Sequence, residues 1–188
     1  MPEHVILFAG PMGAGKTTAI QSVSEIDVVS TEAINSERDV VDKPTTTVAL
    51  DYGEIVLDGE EKLRLYGIPG QRRFSFMWSI LKERAEGMVL LVNNDGPDPV
   101  SEMLEYLDDF RELYNRGAVV VGISRSDVNS ERSLADFSDA LEREHPGTVV
   151  PVFTVDPRDR DHMEMLLLAL VINLEMRAAF GMAGMGSM

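Results

Sequence analysis

Short runs of consecutive apolar residues mark the chain at intervals, and polar positions do not alternate within them. The runs are Val5–Ala9, Met88–Val92, Val119–Ile123 and Val149–Phe153. Continuous runs rich in Val, Ile and Leu are typical of parallel strands that are covered on both faces. Apolar residues at helical spacing lie between or after them, at 100–114, 134–141 and 163–174. The pattern therefore predicts alternating strands and helices in an α/β fold.

A second pattern interrupts this alternation. Thr47–Leu57 and Glu61–Tyr66 both have the composition of strands, and Asp58-Gly59 between them is a strong hairpin signal. We therefore expect one antiparallel edge hairpin in an otherwise parallel sheet, with six strands and about five helices in all.

Two stretches lack any clear period. Residues 27–46 are long for a connection inside a compact domain, and such loops are usually functional or mobile. Gly181–Met188 is rich in Gly and Met and is predicted to be a disordered tail. The expected organisation is one domain over residues 1–180, followed by the tail at 181–188.

Composition and charge narrow the function. The 188 residues include 17 Lys or Arg and 32 Asp or Glu, a net charge of −15, which argues against nucleic acid and anionic lipid as partners. Cysteine is absent, so disulfides, thiolate metal sites and S-linked lipid anchors are excluded. The longest apolar run, Met165–Ile172, is shorter than the ~20 residues that a membrane span needs, and no secretion signal is evident. A cytoplasmic protein is expected.

The residues after the first apolar run carry the chemistry. They read GPMGAGKTT and fit G-x-x-x-x-G-K-[ST] in full, between a predicted strand and a predicted helix. Glycines in such a loop let successive backbone N–H groups face phosphate oxygens, and the helix start adds its positive end. Lys16 would reach the β- and γ-phosphates, and the Thr17 hydroxyl would bind Mg²⁺. The predicted phosphate-binding set is Gly10, Gly13, Ala14, Gly15, Lys16, Thr17 and Thr18.

With this loop, the chain resembles the Ras-like small GTPases, and among them the bacterial MglA type and the related roadblock-associated GTPases. The likeness covers nearly the whole chain from Val5 to Phe180, including its length and the early hairpin. It implies a Ras-like three-layer P-loop NTPase fold, binding of GTP or GDP with Mg²⁺, and slow GTP hydrolysis. It also implies a roadblock-type regulator or effector at the switch segments.

Leu65 to Gln71 read LYGIPGQ, where small GTPases usually have D-x-x-G-Q. The resemblance gives Gly70 a backbone N–H directed at the γ-phosphate and gives Gln71 the task of orienting the attacking water. Gly67 stands where the family Asp, which holds Mg²⁺ through water, would be. The loss of this Asp either weakens Mg²⁺ binding or is made up by another carboxylate, for which Asp51 is one candidate.

Lys43 to Tyr52 resemble the first switch segment. The spacing to the Asp-aromatic pair favours Thr47, with Thr46 second, whereas the Pro-Thr junction favours Thr45. The selected threonine would offer a hydroxyl to Mg²⁺ and an N–H to the γ-phosphate, so Thr17 and Thr47 are the predicted metal residues. At least one of the three is there simply because Thr favours strands.

The run Val119–Ile123 leads into Ser124-Arg125-Ser126-Asp127, a degenerate form of the family pattern [NT]-K-x-D. By resemblance, Asp127 accepts from the guanine edge, Arg125 stacks on the purine, and Ser124 bridges to the phosphate-binding loop. Its place after a buried strand agrees with ligand sites of open α/β sheets. Asp127 could instead cap a turn. Thr154 and Val155 follow the last strand and would contact the base through the backbone.

Arg72 is the predicted catalytic arginine alongside Lys16 and Gln71, and Arg73 and Arg38 are alternatives; surface charge is the simpler interpretation of each. Phe74, Phe76, Met77 and Trp78 form either a partner surface or a core-facing helix turn. Three functions stay open at this point: a GTP-dependent switch, a scaffold that holds nucleotide without turnover, and a P-loop kinase.

Overall fold

Strands and helices alternate along the chain, as the apolar pattern predicts. The structure, a computed structural model, describes residues 3–34, 47–57, 61–129 and 131–185. The strands are β1 Glu3–Ala9, β2 Val29–Ile34, β3 Thr47–Val56, β4 Lys62–Gly67, β5 Gly87–Asn93, β6 Val119–Ser124 and β7 Val152–Thr154. The α-helices are α1 Lys16–Val23, α2 Ser75–Lys82, α3 Pro99–Asp109, α4 Arg111–Asn115, α5 Leu134–Glu144 and α6 Arg160–Met185, and a 3₁₀ turn spans Arg72–Phe74.

All the described strands form one sheet in the order β2-β3-β4-β1-β5-β6-β7. The five strands β4, β1, β5, β6 and β7 are parallel, whereas β3 pairs antiparallel with both β2 and β4. The phosphate-binding loop follows β1, the middle strand. The loops after β1, β6 and β7 therefore meet at the same edge of the sheet, where α/β proteins bind ligands.

Both faces of the sheet are covered, which explains the continuous apolar runs. On one face, α1 and α6 pack against alternate strand residues such as Phe8, Leu65 and Leu91. On the other face, α2 to α5 cover residues such as Leu7, Leu90 and Val121. The result is a three-layer α/β fold, as predicted.

The sheet differs from the prediction by one strand. β2 lies within residues 27–46, where no element was expected, and it pairs with β3 from Val29 opposite Tyr52 to Ile34 opposite Thr47. Six strands were therefore one too few, and the predicted hairpin is not at the edge because β2 covers it. Pairing with β3, the next strand along the chain, forms β2, and the strand preference of a segment depends strongly on the neighbours it packs against.

The ends of the predicted elements also shift. β7 starts at Val152 rather than Val149, since Pro151 has no N–H to donate. The face predicted over 100–114 is divided between α3 and α4 at Phe110, which gives six α-helices in the described ranges instead of about five. α6 continues to Met185 and so enters the segment expected to be a disordered tail. No helix among the described residues is long and apolar enough to cross a membrane.

Candidate functional site

The loop after β1 has the backbone conformation that its glycines predict. Gly10, Gly13 and Gly15 have φ values of 138°, 81° and 99°, in the region that favours glycine. A Cβ added to Gly10 would lie 2.0 Å from the carbonyl oxygen of Leu91, and one added to Gly15 would lie 2.7 Å from Cγ of Pro157. The loop therefore packs against β5 on one side and against the loop after β7 on the other.

Lys16 is the first residue of α1, and its side chain extends back over the phosphate-binding loop. Its Nζ donates to the carbonyl oxygens of Gly10 and Pro11, at 2.7 Å each. Burial lowers the pKa of Lys16 to about 8, against the opposing effect of the carboxylates of Asp51 and Glu102. The ammonium group is thus placed beside the backbone that would surround a phosphate.

Thr17 follows Lys16, and its hydroxyl donates to Oδ2 of Asp51 on β3. The other carboxylate oxygen, Oδ1, accepts from Ser30 on β2 at 2.9 Å. Thr17 and Asp51 thus form an oxygen-rich corner next to Lys16. Hydroxyl and carboxylate oxygens are the ligands that Mg²⁺ prefers, usually with one or two carboxylates completed by phosphates and water. Among the described residues, no group of three or more Asp, Glu or His side chains is placed to hold a metal ion by itself.

Gly70 lies directly on the phosphate-binding loop. A Cβ at this position would be 2.6 Å from Gly10 O and from Met12 N, so no side chain fits. Two aromatic donors hold the backbone there: Trp78 Nε1 donates to Pro69 O at 3.1 Å, and the Tyr106 hydroxyl donates to Gly70 O at 3.0 Å. Gln71 follows, and its amide nitrogen lies 3.6 Å from the sulfur of Met12.

A cleft of about 700 Å³ lies at the carboxyl edge of the sheet. It joins the phosphate-binding loop to the loops that follow β6 and β7. Its lining consists of Gly13, Ala14, Gly15, Thr18, Ser124, Arg125, Ser126, Asp127, Val128, Thr154, Val155, Asp156, Pro157, Arg158 and His162. The structure therefore brings together residues that three separate sequence motifs predicted.

Ser124 links the two halves of this cleft. It is buried, and its hydroxyl lies 3.3 Å from Ala14 O and 3.2 Å from Val92 O, so that one proton is shared between two carbonyls. Arg125 has a φ of 57°, unusual for a residue with a side chain, and its guanidinium lies 3.9 Å from the carboxylate of Asp95. This backbone turn directs the chain from β6 into the segment that carries Asp127.

Comparison of the sequence with known proteins shows the family of this chain. The family model described as "Conserved hypothetical ATP binding protein" matches residues 26–146, nearly two thirds of the chain. The chain belongs to this family. The match begins after the phosphate-binding loop, so family membership and the loop motif are separate observations. No sequence among curated proteins matches the chain.

Solved structures show the same fold. The G domain of the FeoB iron transporter of T. maritima is similar with a TM-score of 0.63 and 15% identity, over 92% of this chain and 99% of that one. The bacterial selenocysteine-specific elongation factor EF-Sec gives a TM-score of 0.62 and 20% identity, over 93% of this chain but 29% of that one. This member of the ATP-binding-protein family thus has the fold of P-loop GTPase G domains.

Several predicted residues lie outside the cleft lining. Gly10, Lys16, Thr17, Gly70 and Gln71 lie around the phosphate-binding loop. Thr47 is at the start of β3, whereas Thr45, Thr46 and Arg38 lie outside the described residues. Arg72 is engaged elsewhere: its guanidinium pairs with Glu105 at 2.7 Å and with Asp109 at 3.0 Å, both on α3. Its catalytic role stays a prediction.

Sequence reasoning missed several residues that line or support the cleft. Asp156 pairs with Arg158 at 2.7 Å, and this hydrogen-bonded guanidinium lowers the pKa of Asp156 to about 2. The Asp156 N–H donates to His162 Nδ1 at 3.1 Å, which fixes the loop after β7. Asp156, Arg158 and His162 lie close together in the sequence just after Thr154-Val155, and this position could have indicated that they line the cleft.

Asn94 could not be predicted as a supporting residue, because nothing in the sequence around it indicates such a role. It is fully buried directly after β5, and its Nδ2 donates to Asn129 O at 3.0 Å. Asn129 Nδ2 in turn lies 3.3 Å from Asn94 O. This reciprocal pair holds the segment that follows Asp127 against the sheet.

Proposed function

We propose that this protein is a GTP-binding molecular switch with slow, Mg²⁺-dependent GTP hydrolysis. One observation carries the proposal: a single cleft runs from the phosphate-binding loop to the Ser124–Asp127 segment. Membership of a family described as ATP binding and the fold of a G domain both support a bound nucleotide. The triphosphate would lie on the N–H groups of residues 13–18, with the base at Asp127 and Arg125.

Asp127 favours guanine over adenine. A carboxylate is an acceptor only, and guanine presents two adjacent donors, its ring N–H and its exocyclic amino group, whereas adenine offers one donor beside an acceptor. The family description names ATP, so adenine is the specific competitor. The planar guanidinium of Arg125 would stack on the face of either purine.

The deciding experiment is a titration of GTP, GDP and ATP, each with and without Mg²⁺. We expect guanine nucleotides to bind at least about 100-fold more tightly than ATP, because a mismatched donor leaves a polar group unpaired. Asp127→Asn should reverse the preference towards xanthosine nucleotides, since the new amide donates where xanthine has an oxygen. Equal affinity for ATP and GTP in the unmodified protein would refute the guanine assignment.

Hydrolysis depends on Gln71 in this proposal. The residue follows Gly70, which touches the phosphate-binding loop, so its amide is close to where a γ-phosphate would lie. Single-turnover hydrolysis of bound GTP should be slow, on the order of 10⁻⁴ s⁻¹ as in Ras-like enzymes without an activator. Gln71→Leu should slow it further while GTP affinity is kept. Equal rates would remove Gln71 from the mechanism.

Mg²⁺ fits the corner formed by Thr17 and Asp51, and Thr47 is the proposed residue from the first switch segment. The ion would neutralise charge on the phosphate oxygens. The chain's own residues position those oxygens: Lys16 from one side and the loop N–H groups from the other. GTP would order the switch segments, and hydrolysis would release them.

Regulation by a partner is the second part of the proposal. Phe76 and Ile80 are 46% and 65% exposed on α2, the helix that follows Gln71 and the 3₁₀ turn Arg72–Phe74. An exposed apolar helix face beside a γ-phosphate site suits a protein that reads the nucleotide state. We propose an MglA-type protein with a roadblock-type regulator or effector on this face, working in the cytoplasm, where GTP is supplied.

A nucleotide-holding scaffold is the alternative, and the ion pairs of Arg72 with Glu105 and Asp109 favour it, because they hold the proposed catalytic arginine on α3. Nucleotide that copurifies and never exchanges would decide for the scaffold.

A P-loop kinase is the remaining alternative. It requires phosphoryl transfer to an acceptor other than water, which the single-turnover assay of GTP hydrolysis would detect.

A further inference from the structure

The helix α3 begins at the edge of the sheet where the phosphate-binding loop lies. It follows β5, which runs parallel to β1 with Leu90 opposite Ala9, so both strands end at the same edge. Glu102 is the acidic residue in the first turn of α3, where the positive end of a helix stabilises a carboxylate. The topology therefore puts a negative charge at the edge that would bind phosphates.

Glu102 lies on the face of α3 that is turned towards this loop. Tyr106, one helical turn later, donates to Gly70 O at 3.0 Å, and Gly70 packs directly on the phosphate-binding loop. Residues four apart share one face of an α-helix. Glu102 consequently faces the loop from the side of Gly70, which in the proposed function is the side of the γ-phosphate.

Glu102 and Lys16 act on each other through their charges. Burial lowers the pKa of Lys16, and the Glu102 carboxylate opposes this effect together with that of Asp51. Burial, followed by the charge of Glu105, raises the pKa of Glu102, whereas Lys16 and Arg72 act in the opposite direction. The carboxylate thus lies within electrostatic range of the ammonium that would hold the phosphates.

Glu102 differs from the other carboxylates on this face of α3. Glu105 and Asp109, three and seven residues further on, pair with Arg72 at 2.7 Å and 3.0 Å. In the part of the chain that the structure describes, the side chain of Glu102 makes neither an ion pair nor a hydrogen bond. Its charge is therefore not neutralised by direct contact with a cation.

A carboxylate in this position repels bound phosphates. The Coulomb energy of two charges falls with their separation, so a phosphate on the side of Gly70 is affected more than one deeper in the loop. GTP places an additional phosphate group on that side, whereas GDP does not. The repulsion therefore weakens the binding of GTP more than that of GDP, which is selection by an unfavourable contact.

We propose that Glu102 is a specificity-determining residue, which sets the balance between GTP and GDP by repelling the γ-phosphate. The inference rests on the proposed function, since the γ-phosphate is that of a bound guanine nucleotide. The loop N–H groups and Lys16 attract the phosphates of both nucleotides, and Glu102 acts against the triphosphate. The two bound states are thereby closer in free energy, which suits a protein that alternates between them.

The test is the ratio of GTP affinity to GDP affinity in the full-length protein, measured by displacement of a fluorescent GDP in the presence of Mg²⁺. Glu102→Gln keeps the size of the side chain and removes its charge. We expect GTP affinity to rise about 10-fold and GDP affinity to change by less than about 2-fold, as for the loss of one like charge several ångström from the γ-phosphate in a partly buried site.

Two further variants separate the local charge from other effects. Glu112→Gln makes the same change in net charge at an exposed position of α4, and this matched control should leave the ratio unchanged. Glu102→Asp retains the charge on a shorter side chain and should keep most of the discrimination against GTP. Urea unfolding of each variant shows whether the fold is kept.

The outcomes distinguish this inference from the proposed function. If the unmodified protein binds neither GTP nor GDP, the proposed function fails. If it binds both and Glu102→Gln has the same affinity ratio, the role of Glu102 is overturned. That role is also overturned if Glu102→Gln strengthens GTP and GDP binding equally, because the charge would then act on Lys16 and not on the γ-phosphate. An equal shift of the ratio in Glu112→Gln would overturn it as well.

Discussion

At the scale of single residues, Lys16 shows how a phosphate site can exist on an acidic protein. Its ammonium is buried and donates to the carbonyls of Gly10 and Pro11, which point inward from the loop. Burial brings its pKa down to about 8. An anionic phosphate beside it would favour the charged form again, so binding above that pH requires uptake of a proton.

Lys16→Ala should therefore abolish tight retention of guanine nucleotide, by at least about 10–100-fold, because charge-assisted hydrogen bonds to the phosphates are lost. In the unmodified protein, affinity should fall about tenfold per pH unit above the lowered pKa, as the ammonium deprotonates. Calorimetric titrations at several pH values check both. Tight, pH-independent retention in Lys16→Ala would contradict the phosphate-site assignment.

The same pKa affects stability in the opposite direction. The unfolded chain keeps the Lys16 proton up to its ordinary pKa of 10.5, whereas the folded chain releases it at about 8. Between these two values the unfolded state binds more protons, so this residue's contribution to the free energy of unfolding rises with pH. Below about 8 the burial of the charge costs stability.

At the scale of elements, α2 and α3 hold the Pro69-Gly70 turn against the phosphate-binding loop. Trp78 on α2 donates to Pro69 O and Tyr106 on α3 donates to Gly70 O. Their rings lie 5.6 Å apart, and Trp78 also packs on Phe110 at 5.4 Å. Since a trans peptide directs its N–H opposite to its C=O, the two bonds orient the N–H groups of Gly70 and Gln71.

Tyr106→Phe keeps the ring and removes only the donor to Gly70. We expect a loss of about 1 kcal/mol in the free energy of unfolding and a reduced preference for GTP over GDP, because Gly70, whose N–H is proposed to face the γ-phosphate, is held less firmly. Urea unfolding and nucleotide titration measure these effects. Tyr114→Phe is the matched control, since the Tyr114 hydroxyl has no hydrogen-bond partner among the described residues. If both variants behave alike, Tyr106 does not position the switch.

At the scale of the whole molecule, the net charge of −15 opposes the approach of any nucleotide. The phosphate-binding loop acts at contact distance, whereas the repulsion extends over about a Debye length, ~8–10 Å at physiological ionic strength. The global field should therefore slow association, and the local site should determine how long the nucleotide stays.

Added salt should consequently raise the association rate of a fluorescent GTP analogue by screening the repulsion, with a smaller effect on its dissociation. Stopped-flow mixing over a range of NaCl concentrations measures this. Competition by uncharged guanosine, whose association should be insensitive to salt, is the control. A rate that falls with salt would show that positive charge around the cleft outweighs the acidic surface.

The sequence by itself determined what contiguous residues encode. The GPMGAGKTT loop, the buried parallel strands, the antiparallel pairing of β3 with β4 and the Ser124–Asp127 segment each follow from local pattern and spacing. The structure places the loop and the Ser124–Asp127 segment around one cleft. These features were predictable because backbone conformation and burial of a short segment depend mainly on its own residues.

Only the tertiary structure decided which distant residues meet. β2 exists through pairing with β3, Asn94 and Tyr106 support loops far away in sequence, and Asp51 occupies the space beside Gly67 from another strand. Arg72, which the sequence analysis predicts as the catalytic arginine, forms ion pairs with two carboxylates of α3. Such contacts depend on strand register and helix packing, which join segments whose separation along the chain carries no periodic signal.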